Sequence, residues 1–151
     1  MPHLLYLEDL PEGRRFESRE ATLDADAIIA FARAFDPQPF HTDPDAAGAT
    51  FFQGLAASGW HTAAFTMRLL VESLPIAGGL IGAGADITWP RPTRPGDRLR
   101  VVSTVEGNLP SRSRPDRGSI VLASETLNQA GETVQRLVSR MVVPRRPASG
   151  G

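Results

Sequence analysis

The sequence predicts an α+β domain, and three observations carry that reading. Apolar residues at helical spacing are concentrated in the first half of the chain. Strand-period alternation fills the second half. The second-half strands follow one another through short links, so they pair antiparallel and stay segregated from the helices.

The elements follow in order. Residues 13–22 read as a first strand, with Phe16, Ala21 and Thr22 favouring it. A helix follows, capped by Thr22 or Asp24, with Asp24 and Asp26 placing negative charge on its first turn. Ile28, Phe31, Ala32 and Phe35 form its apolar face, and Pro37 pushes Asp36 out of the α region and ends it. Residues 36–41 then read as a loop stiffened by Pro37 and Pro39. Asp43 caps a short helix that has Pro44 at its first position. Residues 50–55 are irregular. The longest helical signal runs from Ala56 to Ser73, apolar on most sides, which predicts a buried helix ended by Pro75. Residues 80–89 form a glycine-softened strand and 90–97 a turn. Leu99, Val101, Ser103 and Val105 alternate with outward residues in the next strand. Residues 119–127 and 133–143 are the last two, joined by the turn 128–132. The economical packing curls this sheet round the central helix. The tail from about 144 to 151 reads as a flexible end, and the whole chain, 1–151, as one domain.

Composition narrows the function classes. The 151 residues contain no cysteine, which removes disulfides, thiolate nucleophiles and thiolate metal sites. It also suits a cytoplasmic location. A formal net charge of -1 gives no reason to expect a nucleic-acid partner. No uninterrupted apolar run is long enough to span a membrane, and the start of the chain lacks the basic region of a signal peptide.

Chemistry is concentrated in Asp36 and His41. They lie five residues apart on backbone that two prolines restrict, an arrangement suited to preorganised proton transfer. An imidazole is easily poised near neutral pH, and a carboxylate can hold a water by accepting its hydrogen bond. The competing reading is a helix-ending Asp and a loop His with only local hydrogen bonds.

The segment Phe35-Asp36-Pro37-Gln38-Pro39-Phe40-His41-Thr42-Asp43-Pro44 resembles the signature of the MaoC-like dehydratases and (R)-specific enoyl-CoA hydratases, Gly-Asp-x-Asn-Pro-(aliphatic)-His. Asp36, Pro39 and His41 match it. Residues 55–64, with Ser58-Gly59, are similar to the start of the family's central helix, and Trp89-Pro90-Arg91-Pro92 with Pro95-Gly96-Asp97 to its following strand and turn. Phe35, Gln38 and Phe40 depart from the pattern, which implies a different acyl preference with the acid–base pair intact.

The resemblance implies a hot dog fold, a five-stranded antiparallel sheet wrapped round one helix, assembled as a homodimer or a higher oligomer of dimers. It implies reversible addition of water to an enoyl thioester carried on coenzyme A or an acyl-carrier protein, as in fatty acid metabolism. Coenzyme A is then part of the substrate, and no separate cofactor is expected. Asp36 is the expected base on water and His41 its partner and proton donor, with the roles open to exchange. Gly59, at a helix N-terminus, is the expected backbone donor to the thioester oxygen, with Ser58 and Gln38 beside it. The alternatives are a hot dog thioesterase using Asp36 and a non-catalytic acyl-binding subunit.

Other residues weigh less. Arg91, Arg94, Arg112 and Arg114 are candidates for the phosphates of coenzyme A, against the plainer reading of solvated turns. Trp89, Phe51, Phe52 and Phe65 could line an acyl pocket or pack the core. His61 with His41 lacks a third ligand of suitable spacing, so no metal is expected. Ser58-x-x-His61 has no nucleophile elbow before it.

Overall fold

A computed structural model describes residues 3–148. Its strands lie in the order β1-β4-β5-β6-β3, all neighbours antiparallel. The long members are β3 (Ile81–Thr88), β4 (Asp97–Pro110), β5 (Arg117–Leu127) and β6 (Thr133–Pro144). The first lane, read from sequence as one strand, is broken into β1 (Arg15–Glu17) and β2 (Ala21–Leu23), both paired to β4. The break sits at Ser18, whose N–H donates to the Val101 carbonyl and whose Oγ accepts from the Val101 N–H. Ser18 thus satisfies the ladder locally while the chain turns. The result is the hot dog arrangement: five lanes of sheet, the first in two pieces, curved over one long helix.

Local chemistry sets the helices. In α1 (Ala25–Phe35), Asp24 takes the cap and accepts from the Ala27 N–H. Ile28 and Ala32 are buried, but Phe35 is 75% exposed and leaves the expected apolar face. Asp43 accepts from the N–H groups of Asp45 and Ala46 at the start of α3 (Pro44–Ala47). The central helix α4 is shorter than its apolar run, Gly59–Ser73, because Ser58 caps it.

Two clusters make the core. Leu69, Leu70 and Leu74 pack on Val101, Val105, Ile120, Leu122, Leu137 and Met141 beneath α4. Leu23, Ile28, Ala47, Leu55, Ala57, Leu99 and Val134 fill the end near the helix N-terminus, and Phe65 touches both clusters. Between them runs a buried polar seam, with Thr66 Oγ1 2.6 Å from Thr126 Oγ1 and Thr62 Oγ1 donating to Thr93 Oγ1 at 3.1 Å. Each hydroxyl has a partner, which is what burial requires.

The expectation of a helix buried almost all round is corrected here. Trp60, Met67 and Val71 are 62, 43 and 54% exposed, and Ala64 joins them in one stripe. The sheet covers one face of α4, and nothing else among the described residues covers this one. Within the stretch expected to be a flexible tail, residues 145 and 146 are tied to the domain. The Arg145 N–H donates to the Asp116 carbonyl, and Arg146 pairs with Glu8 and Asp9. Ser149 to Gly151 lie outside the described residues. No helix among the described residues is long and apolar enough to cross a membrane.

Candidate active site

The Asp36–His41 segment is a tight reversal. Pro37 keeps Asp36 out of the α region, so α1 ends there with φ -151° and ψ 66°. The Gln38 N–H then donates to the Asp36 carbonyl at 2.8 Å, and Pro39 opens a one-turn helix, α2 (Pro39–Thr42). His41 therefore sits in a helical turn and not in the expected loop, since Pro39 is preorganised for a first helical position. The reversal brings His41 Nε2 to 3.3 Å from Asp36 Oδ2, with the imidazole buried and the carboxylate partly so.

The other ring nitrogen is also tied. His41 Nδ1 lies 2.6 Å from the Ala56 carbonyl oxygen, and the Ala56 N–H donates back to the Phe40 carbonyl at 3.0 Å. A carbonyl only accepts, so Nδ1 carries the hydrogen. In the neutral ring Nε2 then holds its lone pair toward Asp36. The Ala56 carbonyl is a functional group sequence reasoning missed; a backbone oxygen has no residue-type signal.

Three groups attend the Asp36 carboxylate. Burial is the largest influence and would raise its pKa. Hydrogen bonds from Gln38 and Ser58, with the nearby His41, outweigh it and hold the carboxyl below its ordinary value. Gln38 Nε2 reaches Oδ1 at 2.5 Å, so the longer side chain at this position still meets the acid. Ser58 serves twice, since its Oγ also accepts from the Trp60 N–H at 3.3 Å.

His41 opens onto a pocket of about 440 Å³, with Gly59, Ala57 and Thr62 on one side, Phe51 and Phe52 on another, and Trp89 to Thr93 opposite. The first N–H groups of a helix lack intrahelical acceptors. Here the N–H groups of Trp60, His61 and Thr62 turn to Ser58, while that of Gly59 has no acceptor among the described residues. A carbonyl oxygen entering the pocket could take it. Glycine is needed there for a second reason: a Cβ at Gly59 would lie 2.7 Å from the Trp89 ring. Thr62 and Thr93 are wall residues that the sequence reading did not single out; only their spacing from Gly59 and Trp89 pointed to them.

The arginines separate. Arg91 lines the pocket and lies 3.3 Å from Glu132 in an exposed pair. Arg94 instead fastens a neighbouring loop, donating to the carbonyls of Phe52, Gly54 and Leu55. Those bonds engage three of the five N–H donors of an arginine that the sequence reading considered for phosphate. Arg112 and Arg114 sit on the β4–β5 turn, past the far end of β4 from the pocket. Within one chain the length of that strand, about 40 Å at roughly 3.3 Å per residue, separates them from it, so the structure does not bring them to the site. Of the aromatic candidates, Phe51, Phe52 and Trp89 line the pocket, whereas Phe65 packs in the core. His61 stacks on Phe31 with ring centroids 4.5 Å apart and does not join His41 in a cluster; burial lowers its pKa. No group of three or more His, Cys, Asp or Glu side chains among the described residues could hold a metal ion.

Comparison with known proteins bears on the whole chain. The sequence model of the MaoC like domain matches residues 9–125. A crystal structure of a MaoC-like dehydratase from Rhodospirillum rubrum superposes with a TM-score of 0.93 at 60% identity, covering 95% of this chain and 99% of that one. An uncharacterized protein of Bacillus subtilis, YdeM, is 31% identical over 126 residues, 82% of this chain and 87% of its own. An (R)-specific enoyl-CoA hydratase of Rhodospirillum rubrum is 27% identical over 143 residues, 95% of this chain and 94% of its own.

Proposed function

The chain belongs to the MaoC-like domain family, and from that premise we propose that it hydrates and dehydrates enoyl thioesters with Asp36 and His41. The observation that carries the reading is one arrangement: two acceptors, Asp36 Oδ2 and His41 Nε2, 3.3 Å apart beside a pocket that also presents the Gly59 N–H. The full-length similarity to an (R)-specific enoyl-CoA hydratase supports the same reaction class.

A water held between the two acceptors donates one hydrogen to each. His41 takes a proton as the water oxygen attacks C3 of the enoyl group. The O–H bond breaks, the C3–O bond forms, and the electron pair of the double bond moves toward the thioester carbonyl. The Gly59 N–H meets the negative charge on that oxygen. The imidazolium then returns its proton to C2, and the carbonyl re-forms. This exchanges the roles expected from sequence, on two grounds. Imidazole is ordinarily the stronger base, and Asp36 is held below its own ordinary value. With Nδ1–H committed to Ala56, neutral His41 also has no hydrogen at Nε2 to donate until it has taken one.

The working unit in this reading is a cytoplasmic homodimer. β3 pairs only with β6 along the sheet, and its outer edge carries no partner among the described residues. The exposed stripe of α4 and Ile81 lie on the same flank, and a bare apolar edge of this kind invites a second strand. The substrate in this reading is a coenzyme A or acyl-carrier-protein thioester, and Arg91, which lines the pocket, is the arginine proposed to meet its phosphate.

The test is product identity. Purified protein mixed with crotonyl-CoA and longer or branched enoyl-CoAs is expected to bleach the conjugated double bond and yield a hydroxyacyl thioester. Release of free thiol instead would replace this reading with a thioesterase. Inactivity in both assays across the panel would favour an acyl-binding subunit.

A further inference from the structure

Two pockets lie in line along the groove between α4 and β3. The site pocket has Gly59 on its helix side and Trp89 on its strand side. The next, of about 320 Å³, is lined by Ala63 and Met67 of the helix and by Gly82, Gly84, Ala85 and Ile87 of the strand. Gly59, Ala63 and Met67 are four residues apart and share one face of α4. Trp89 follows Ile87 by two and continues its face just past the strand end. The two pockets are therefore successive stretches of one groove, and Trp89 stands at their junction.

The indole fills that junction. A Cβ built at Gly59 would meet Trp89 Cε2 at 2.7 Å and Cδ2 and Cζ2 at 2.8 Å, so the ring lies against the helix backbone with no room for a methyl group. Its Nε1 donates to Gln135 Oε1 at 2.9 Å, and Gln135 is fully buried. Trp60 packs against it edge to face, with centroids 5.4 Å apart. A ring pinned at one edge by a buried hydrogen bond and on its face by backbone is a fixed wall.

Resting on the hydratase reading, we propose that Trp89, held by Gln135, is the specificity-determining wall of the acyl pocket. It closes the site against the apolar groove beyond and restricts the enzyme to thioesters of short acyl chains. Without the ring, the space beside Ala63, Met67 and Ile87 would open to a longer chain.

The experiment compares wild type, Trp89→Ala and Gln135→Met, with folding checked by circular dichroism. Binding of saturated acyl-CoAs from butyryl to dodecanoyl is measured by calorimetry, and hydration is followed with enoyl-CoAs of the same lengths. Wild-type affinity is expected to stop rising beyond hexanoyl, and its hydration to fall by about tenfold or more from hexenoyl to dodecenoyl. In Trp89→Ala, each further methylene is expected to gain about fourfold in affinity, and the hydration optimum moves to longer chains. Gln135→Met, which keeps the bulk and loses the acceptor, is expected to move both profiles partway. A wild-type profile without a cut-off, or variant profiles that superimpose on it, would overturn the wall. Saturated chains bind without turnover, so a cut-off that shifts in Trp89→Ala with hydration absent at every length would uphold the wall and sink the hydratase reading.

Discussion

The two flanks of the α4 N-terminus are built on opposite terms. Toward α2, the polar groups have partners within the chain: His41 Nδ1 with Ala56, Asp36 with Gln38, and Arg94 with three carbonyls. Toward β3, the helix shows Trp60, Ala64, Met67 and Val71 to solvent beside a strand edge that has no partner among the described residues. In the hydratase reading, the first flank holds the reacting groups in one geometry, where conformational freedom would cost rate. The second leaves apolar area uncovered, and apolar patches of this kind mark association surfaces. The Asp36–His41 pair and the exposed stripe thus lie on different sides of one helix, with the α4–β3 groove running beside the stripe.

The largest expected effect lies on the matched flank. Asp36→Asn and His41→Ala each remove one acceptor of the water, and hydration is expected to fall by about 10² to 10⁴. Light scattering should give the same mass as wild type. A change in mass with catalysis retained would reverse the assignment of the two flanks.

Arg94→Ala is expected to come next. Its guanidinium joins the 52–55 loop to the turn before β4, and removal strips three carbonyls of a charged donor. Hydrogen bonds to charged groups are worth more than neutral ones, so the loss in unfolding free energy should be on the order of 3 kcal/mol. Urea denaturation measures it, and a cost near zero would mean that the loop holds itself. Val71→Glu strikes the open flank. A carboxylate in the apolar stripe is expected to weaken dimerisation by about tenfold or more. Sedimentation across a concentration series would read that shift, and an unmoved equilibrium would remove the stripe from the interface.

Much of this architecture was legible in sequence for a physical reason. Strand alternation from Leu99 to Val105 reports one buried face directly, and those residues are the ones the sheet buries. The Asp36–His41 approach was legible because both residues lie within one reversal. Contacts between distant segments were not. Periodicity marks the apolar stripe of α4 but is silent on whether its own chain covers it. Arg91 and Arg94 are the same residue type three apart, yet one lies at the pocket rim and the other grips a loop. Phe51, Phe52 and Phe65 look equivalent until the fold sends the last into the core. The Trp89–Gly59 contact joins residues thirty apart, and no local pattern records it.

His61 gives the smallest expected effect, and it tests how far the matched flank is matched. The ring is buried, stacked on Phe31 with planes 6° apart, and its Nδ1 has no partner among the described residues. Burial disfavours the charged form, so its folded-state pKa lies below the ordinary 6.5. The unfolded chain then binds a proton that the native ring refuses. The stability associated with the neutral ring is complete above about pH 6.5 and is lost as pH falls from there through the folded-state value. His61→Phe keeps an aromatic ring against Phe31 and removes the titration. The difference in urea midpoint between variant and wild type should be constant from pH 7 to 8 and should move in the variant's favour as pH drops below about 6.5. A difference that stays constant down to pH 5 would mean that protonated His61 finds a partner in the folded protein, making this corner of the site less closed than its stack with Phe31 implies.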